Sequence, residues 1–266
     1  MARWSPLPSR PTVAVLRLQG VIAAGGRRGA GMNDAALAPL IEKAFSKGRP
    51  EAVALTINSP GGSPAQSSLI AARIRRLADE KEIPVHAFVE DVAASGGYWL
   101  ATAADKIWAD QTSILGSIGV ISAGFGFSEL IARHGIERRV HTAGKSKSFL
   151  DPFQPEKPED VERLQALFEP MHRIFIDQVK ARRGSRLSSE AELFDGSFWL
   201  GQQAVDLGLA DGIAHLVPKM KALYGDKVRF RTYGPKRGLL RRLGAEALSG
   251  VAAEAEDRAL MARFGL

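Results

Sequence analysis

Ser95 stands in Ala93-Ala94-Ser95-Gly96-Gly97-Tyr98-Trp99, a run of small residues that lets a substrate backbone come close to a hydroxyl. The chain has no cysteine, and no histidine lies near that serine in sequence. A nucleophilic serine needs a base, and a neutral lysine can be one. Gly144-Lys145-Ser146-Lys147-Ser148 offers two lysines. Lys147 leads into Phe149, Leu150, Pro152 and Phe153, an apolar surround. Burial against apolar groups can lower a lysine from its ordinary value of ~10.4, so that the amine is neutral. Spacing alone does not choose between Lys145 and Lys147, and either could be a solvated loop charge. The chemistry these residues point to is acyl transfer by a serine–lysine pair, as in a serine peptidase without a catalytic histidine.

Two further segments fit that chemistry. Asn58-Ser59-Pro60-Gly61-Gly62 follows an apolar run, and adjacent glycines free backbone amides to turn toward a ligand oxygen. A tetrahedral oxyanion needs about two such donors, each worth a few kcal/mol of barrier. Gly61 or Gly62 can supply one and Gly96 the other, although an ordinary Pro-Gly turn would look the same. Ser117, in Gly116-Ser117-Ile118-Gly119-Val120, is placed to orient the lysine, and a plain turn serine is the competing reading.

The elements that must hold these residues read as alternating strands and helices. Thr12–Gln19, Ala52–Ile57, Pro84–Val89 and Lys106–Ala109 read as strands, and Gly119–Ser122 and Glu137–Thr142 read as two more. Helices are expected over Asp34–Phe45, interrupted or delayed by Pro39, after Ser63, from Ser95 through Ala103, over Ser128–His134, and over 158–183 up to Gly184. Short connections between them argue for βαβ units, an α/β fold and a mainly parallel sheet. Loops at the C-terminal ends of such strands converge on one crevice, so the glycine loop and the Ser95 turn can meet.

At 266 residues, 45% hydrophobic and 24% charged, the chain has the material for a full globular core. The absence of cysteine excludes thiol catalysis, disulfides and cysteine-ligated zinc. His86, His134, His141, His172 and His215 are scattered, so no metal site and no cofactor is expected. No phosphate loop or nucleic-acid module is visible. No run is long and apolar enough to span a bilayer, and the N-terminus has no leader pattern, so a cytoplasmic protein is expected. From Arg229 the texture changes. Arg229, Arg231, Lys236, Arg237, Arg241 and Arg242 occur with no acidic residue among them, and Leu239, Leu240, Leu243, Ala247, Leu248, Val251 and Ala255 trace an apolar stripe. The expected division is a body over 1–228 and a basic, amphipathic, helical C-terminal extension over 229–266. That extension would touch a membrane surface peripherally, or pack on a sister subunit or on the body.

Taken in order, the Asn58–Gly62 loop, Ala94-Ser95-Gly96-Gly97-Tyr98-Trp99, Gly116–Val120, and Gly144–Ser148 with Asp151-Pro152-Phe153 resemble the signal peptide peptidase A family. The resemblance covers roughly residues 12–215, ending in a Gly-Ser-Phe-Trp-Leu-Gly-Gln-Gln-Ala run. It implies a Clp-protease/crotonase-type fold and hydrolysis of signal peptides or other small peptides. It assigns Ser95 as nucleophile, Lys147 rather than Lys145 as base, Ser117 as the hydroxyl holding the lysine, and Gly61, Gly62 and Gly96 to the oxyanion hole. It also implies ring-like homo-oligomers. Two other classes remain open on the residues: a crotonase-like enzyme acting on acyl-CoA, and a non-catalytic, membrane-associated scaffold.

Overall fold

The computed structural model describes residues 10–24, 31–144, 147–189, 192–234 and 261–265. The strand β1 (Thr12–Gln19) is followed by α1 (Asp34–Ser46), whose Asn33 side chain caps the Ala36 amide at 2.9 Å. Pro39 lies inside α1, which nonetheless starts at Asp34. Next come β2 (Ala52–Ser59) and α2 (Pro64–Lys81), where Ser63 caps and Pro64 takes the first turn. The long strand β3 (Val85–Ala94) runs into the short helix α3 (Gly96–Ala101). Then follow β4 (Lys106–Ala109), β5 (Ile114–Gly116), α4 (Ser128–Arg133) and α5 (Pro158–Arg183). The chain continues through β6 (Phe198–Leu200), α6 (Gly201–Asp206), β7 (Gly212–Ile213), α7 (Leu216–Tyr224) and β8 (Arg229–Tyr233).

The sheet runs β6-β5-β3-β2-β1-β8, with β4 and β7 branching from β3. All of its pairings are parallel except β5 with β6. This is the expected α/β fold with a parallel core and flanking helices. β3 changes partner along its length: His86–Val89 lies beside β4, and Val92–Ala94 lies beside β5. On one face of the sheet, Val13, Val15, Ala52, Ala54 and Phe88 pack under Met220, Leu216 and Tyr224 of α7. Strands buried on both faces read as continuous apolar runs, which is why β1 and β2 were legible from sequence.

Two compact units divide the chain: residues 1–118 with 176–266, and residues 119–175. The first holds the whole sheet. The second holds α4 and most of α5, together with the rings of Phe125, Phe127 and Phe153, adjacent centroids lying 6.4 and 5.7 Å apart. Asp151 accepts from the Phe153 amide at 3.0 Å and pairs with Arg138 at 3.2 Å. The amide and Arg138 hold its carboxyl below the usual range.

Three expectations change. Gly119–Ser122 and Glu137–Thr142 are irregular rather than strands; their β-branched and apolar residues meet no neighbouring strand. β-propensity becomes a strand only where a partner completes the ladder. Arg229–Tyr233, expected to open an appended extension, is instead β8, an edge strand in register with Thr12–Leu16. The rest of the expected extension lies outside the described residues, apart from 261–265, where Met261 and Phe264 pack on Val92, Ala94 and Ile114.

A buried ion network anchors the last turns of α5 to the main unit. Arg183, 2% exposed, donates to Asp211 at 2.7 Å and to the Gly208 carbonyl at 2.8 Å. Arg186 and Lys106 also reach Asp211, and the Ile107 amide donates to it at 2.8 Å. Burial pushes the Asp211 carboxyl up, but the Ile107 amide and Arg183 outweigh it and hold the group below its ordinary range. Removing one partner of a buried pair strands the other charge. Asp211→Ala should therefore lower unfolding stability by about 3–5 kcal/mol in a denaturant titration.

His86 on β3 is buried beside Tyr224, and burial pushes its imidazole below the ordinary 6.5. Above that value both the folded and the unfolded chain hold it neutral, and its contribution to stability is complete. Below it the unfolded chain takes up a proton that the folded one refuses, so stability falls with pH. Melting temperatures of His86→Gln should fall less steeply than those of the parent from about pH 6.5 downward.

Candidate active site

β3 delivers Ser95 at the point where the strand stops and α3 begins. The residue is half-buried, with φ 51° and ψ −121°, a left-handed conformation that few residues other than glycine adopt. Backbone strain of this kind costs about 1–3 kcal/mol and persists only when the surroundings impose it. Here they do. The Ser95 amide donates to the Gly116 carbonyl of β5 at 2.8 Å, and the Ser95 carbonyl accepts from Trp99 at 3.0 Å. The serine is thus pinned on both sides of a sharp strand-to-helix turn.

The glycine loop after β2 closes against that turn. Gly61 has φ +105°, and a Cβ there would stand 2.8 Å from both the Gly96 nitrogen and the Ser95 Cβ. Gly62 has φ +135°, and its Cβ would fall 2.0 Å from the Ile22 carbonyl oxygen. The loop is locked to the segment after β1 by two bonds, Ile22 N–H to the Gly61 carbonyl and Ser63 N–H to the Ile22 carbonyl, each 2.7 Å. On the opposite side, a Cβ on Gly96 would lie 2.4 Å from Ser67 Oγ, and one on Gly97 would lie 2.4 Å from the Ser59 carbonyl oxygen. At Gly61 and Gly97 glycine is required because backbone meets backbone there, with no room for a Cβ.

Ser95, Gly61, Gly62 and Gly96 therefore form one cluster. The Gly62 nitrogen lies 3.4 Å from where a Cβ of Gly96 would stand, so the amides of Gly62 and Gly96 occupy one small space. Two amides and a hydroxyl this close can receive a carbonyl and stabilise negative charge developing on its oxygen. Ser117 follows Gly116, the residue that holds Ser95, and itself has φ 52°, with its amide donating to the Ser197 carbonyl at 2.7 Å. Lys147 belongs to the second unit. It opens the turn 147–150, its side chain is exposed, and its amide donates to the Gly144 carbonyl at 3.2 Å. Lys145 lies outside the described residues.

Sequence reasoning passed over the residues that tie these loops down. Ser59, fully buried at the end of β2, donates its hydroxyl to the Gly20 carbonyl at 2.7 Å and accepts from the Gly61 amide at 3.2 Å. Asn58 donates to the Asp91 carboxylate, and Gln19 donates to Glu90 at 3.0 Å. A small polar residue ending a largely apolar buried strand, one proline before two glycines, is the signal that marks Ser59.

Residues 78–223 match the model of peptidase family S49. A Brucella melitensis protein named Na(+)/H(+) antiporter NhaA is 48% identical across 96% of the chain, which spans only 37% of that protein's length. A Synechocystis protein described as a protease is 31% identical, the match covering 88% of this chain and 83% of that one. An Enterococcus faecium protein described as signal peptide peptidase SppA is 32% identical over 66% of the chain and 51% of its own. Among solved structures, the membrane-bound stomatin-specific protease 1510-N, as a serine-to-alanine mutant, overlays with a TM-score of 0.53 at 15% identity, covering 86% of this chain and all of that one. Its lysine-to-alanine mutant in complex with a substrate peptide gives 0.55 at 16% identity over 86% and 94%. Those two likenesses establish the fold, the Clp-protease/crotonase-type arrangement. Among the described residues, no helix is long and apolar enough to cross a membrane, and no group of side chains is arranged to hold a metal ion.

A methyl group at Gly61 would meet the Ser95 Cβ and the Gly96 amide at once. Gly61→Ala should slow fluorophosphonate labelling of Ser95 at least about a hundredfold, with far-ultraviolet circular dichroism unchanged. Labelling at the parent rate would show that the glycine wall does not shape the site.

Proposed function

Because the chain belongs to peptidase family S49, we propose that it is a serine endopeptidase in which Ser95 attacks the scissile carbonyl and Lys147 accepts the serine proton. The observation that carries this reading is the placement of Ser95, held at φ 51° at the end of a buried parallel strand with a double-glycine loop closed against it. Attack by Oγ forms a tetrahedral adduct whose oxygen bears the negative charge, and the Gly62 and Gly96 amides, in the cluster that Gly61 helps to form, face that oxygen. The protonated lysine then delivers its proton to the leaving amine, and the adduct collapses to an ester on Ser95. Water, deprotonated by the same lysine, hydrolyses that ester and restores the hydroxyl. Ser117 holds the lysine amine in line by hydrogen bonding.

The substrates are signal peptides or other small or unfolded peptides. The relative from Enterococcus faecium, described as a signal peptide peptidase, supports that range. The protein works as a homo-oligomer. Supporting this, Ile121, Phe125, Leu130 and Ile136 of the second unit are each more than half exposed, more apolar surface than one small unit needs to show to water. Its location is cytoplasmic, with a peripheral membrane contact through the basic stretch that follows β8.

Ser95→Ala should abolish hydrolysis of a quenched peptide library. Lys147→Arg should reduce it at least about a thousandfold, because a guanidinium stays protonated and cannot accept the serine proton. Both variants should melt within a few degrees of the parent. Cleavage that survives Ser95→Ala would assign the nucleophile elsewhere, and an active Lys147→Arg would remove the lysine from the reaction.

A further inference from the structure

Ser59 lies where three strand ends meet. Its hydroxyl donates to the Gly20 carbonyl just past β1 and accepts from the Gly61 amide of the glycine loop. Its carbonyl oxygen stands 2.4 Å from the position a Cβ on Gly97 would take, so it also abuts the first turn of α3. The side chain is completely buried. Register explains how it arrives there. Ile57 pairs with Val89, yet Ser59 pairs with Ala93 and not with Asp91, because β3 bulges between these pairs. Glu90 and Asp91 swing out to solvent in the bulge, and Asn58 and Gln19 hold them by hydrogen bonds. The bulge thereby brings the end of β2 level with the residue two positions before Ser95.

The consequence concerns the amides. Gly61 and Gly62 both sit in the loop, but the Gly61 N–H is already taken by Ser59 Oγ. Its carbonyl is likewise taken, by Ile22. Gly62 and Gly96 are the remaining pair: the Gly62 nitrogen lies 3.4 Å from where a Cβ on Gly96, the residue after Ser95, would stand. We propose that Ser59 is a positioning residue for hydrolysis at Ser95: by engaging the Gly61 amide and the Gly20 carbonyl, it sets the loop so that Gly62, together with Gly96, points its N–H at the developing oxyanion. The inference rests on the reading of Ser95 as nucleophile. Ser59 touches no substrate; its effect is transmitted through the loop, and donors aimed in advance lose their value when the aim drifts.

The test compares the full chain with Ser59→Ala, Ser59→Cys and Ser95→Ala. The readouts are the rate of fluorophosphonate labelling, kcat and KM per labelled site on a quenched peptide, and affinity for a peptide boronic acid, which forms a tetrahedral adduct on serine. Ser59→Ala is expected to slow labelling about tenfold or more. It should lower kcat and boronate affinity in step and leave KM within about twofold, the pattern of an interaction made only in the transition state. Ser59→Cys, which keeps a weak donor and acceptor, should fall between Ser59→Ala and the parent; it carries the comparison should the alanine variant not fold. Parent-like labelling and kcat per site in the variants, or a loss confined to the fraction of folded protein, would overturn the role of Ser59 while Ser95→Ala stays inactive. Labelling or cleavage that persists in Ser95→Ala would instead overturn the underlying assignment of the nucleophile.

Discussion

Two pieces of backbone press together at the centre of this protein with no side chains between them. The segment Ser59–Gly62 and the turn at Ser95–Gly97 approach so closely that a carbon added to Gly61 would stand 2.8 Å from the Gly96 nitrogen, and one added to Gly97 would stand 2.4 Å from the Ser59 carbonyl oxygen. Everything proposed for the site follows from that contact. It brings polar amides to the flank of Ser95, and it excludes any side chain that would screen them. Glycine costs entropy on folding, and here that cost is offset by a geometry no other residue can reach.

Such a contact needs rigid supports, and the parallel sheet supplies them. Hydrogen bonds from Ile22, Ser63 and Ser59 lace the ends of β1 and β2 together, and Ser59 pairs with Ala93 near the end of β3. Farther out, Tyr98, buried in α3 just past the serine, donates its hydroxyl to the Leu209 carbonyl at 2.9 Å. Burial raises the ordinary titration of this phenol, so it stays a donor throughout the working range. Leu209 lies in the same turn as Gly208, which Arg183 grips, and Arg183 is paired with Asp211. The serine turn is thus tied through one tyrosine to the ion network that anchors the end of α5.

The second unit follows a different logic. Its core is a small aromatic group with Arg138 stacked over Phe153 at 5.7 Å, and much of its apolar surface faces outward. Segments with strand-like composition stay irregular there. The proposed base, Lys147, sits on it, while the proposed nucleophile sits on the sheet-bearing unit.

What the sequence determined by itself were the local events. Apolar β-branched runs specified β1, β2 and β4, the 3.6-residue period specified α5 to within its observed ends, and four ordered motifs marked Ser95, the glycine loop, Ser117 and the lysine turn. These signals are local because strand burial, helical periodicity and glycine requirements act over a few residues. Tertiary structure decided the rest. Gly119–Ser122 and Glu137–Thr142 lost their strand character for lack of a partner, and Arg229–Tyr233 became an edge strand because β1 offered one. The bulge that sets Ser59 opposite Ala93 depends on pairing between strands far apart in the chain, as does the positive φ of Ser95. The sequence marks Ser59 as a polar residue at the end of a buried strand, but not the Gly20 carbonyl and Gly61 amide that its hydroxyl engages. The physical reason is that a side chain's type limits what it can bond, but only the packed neighbours determine which partner stands within reach.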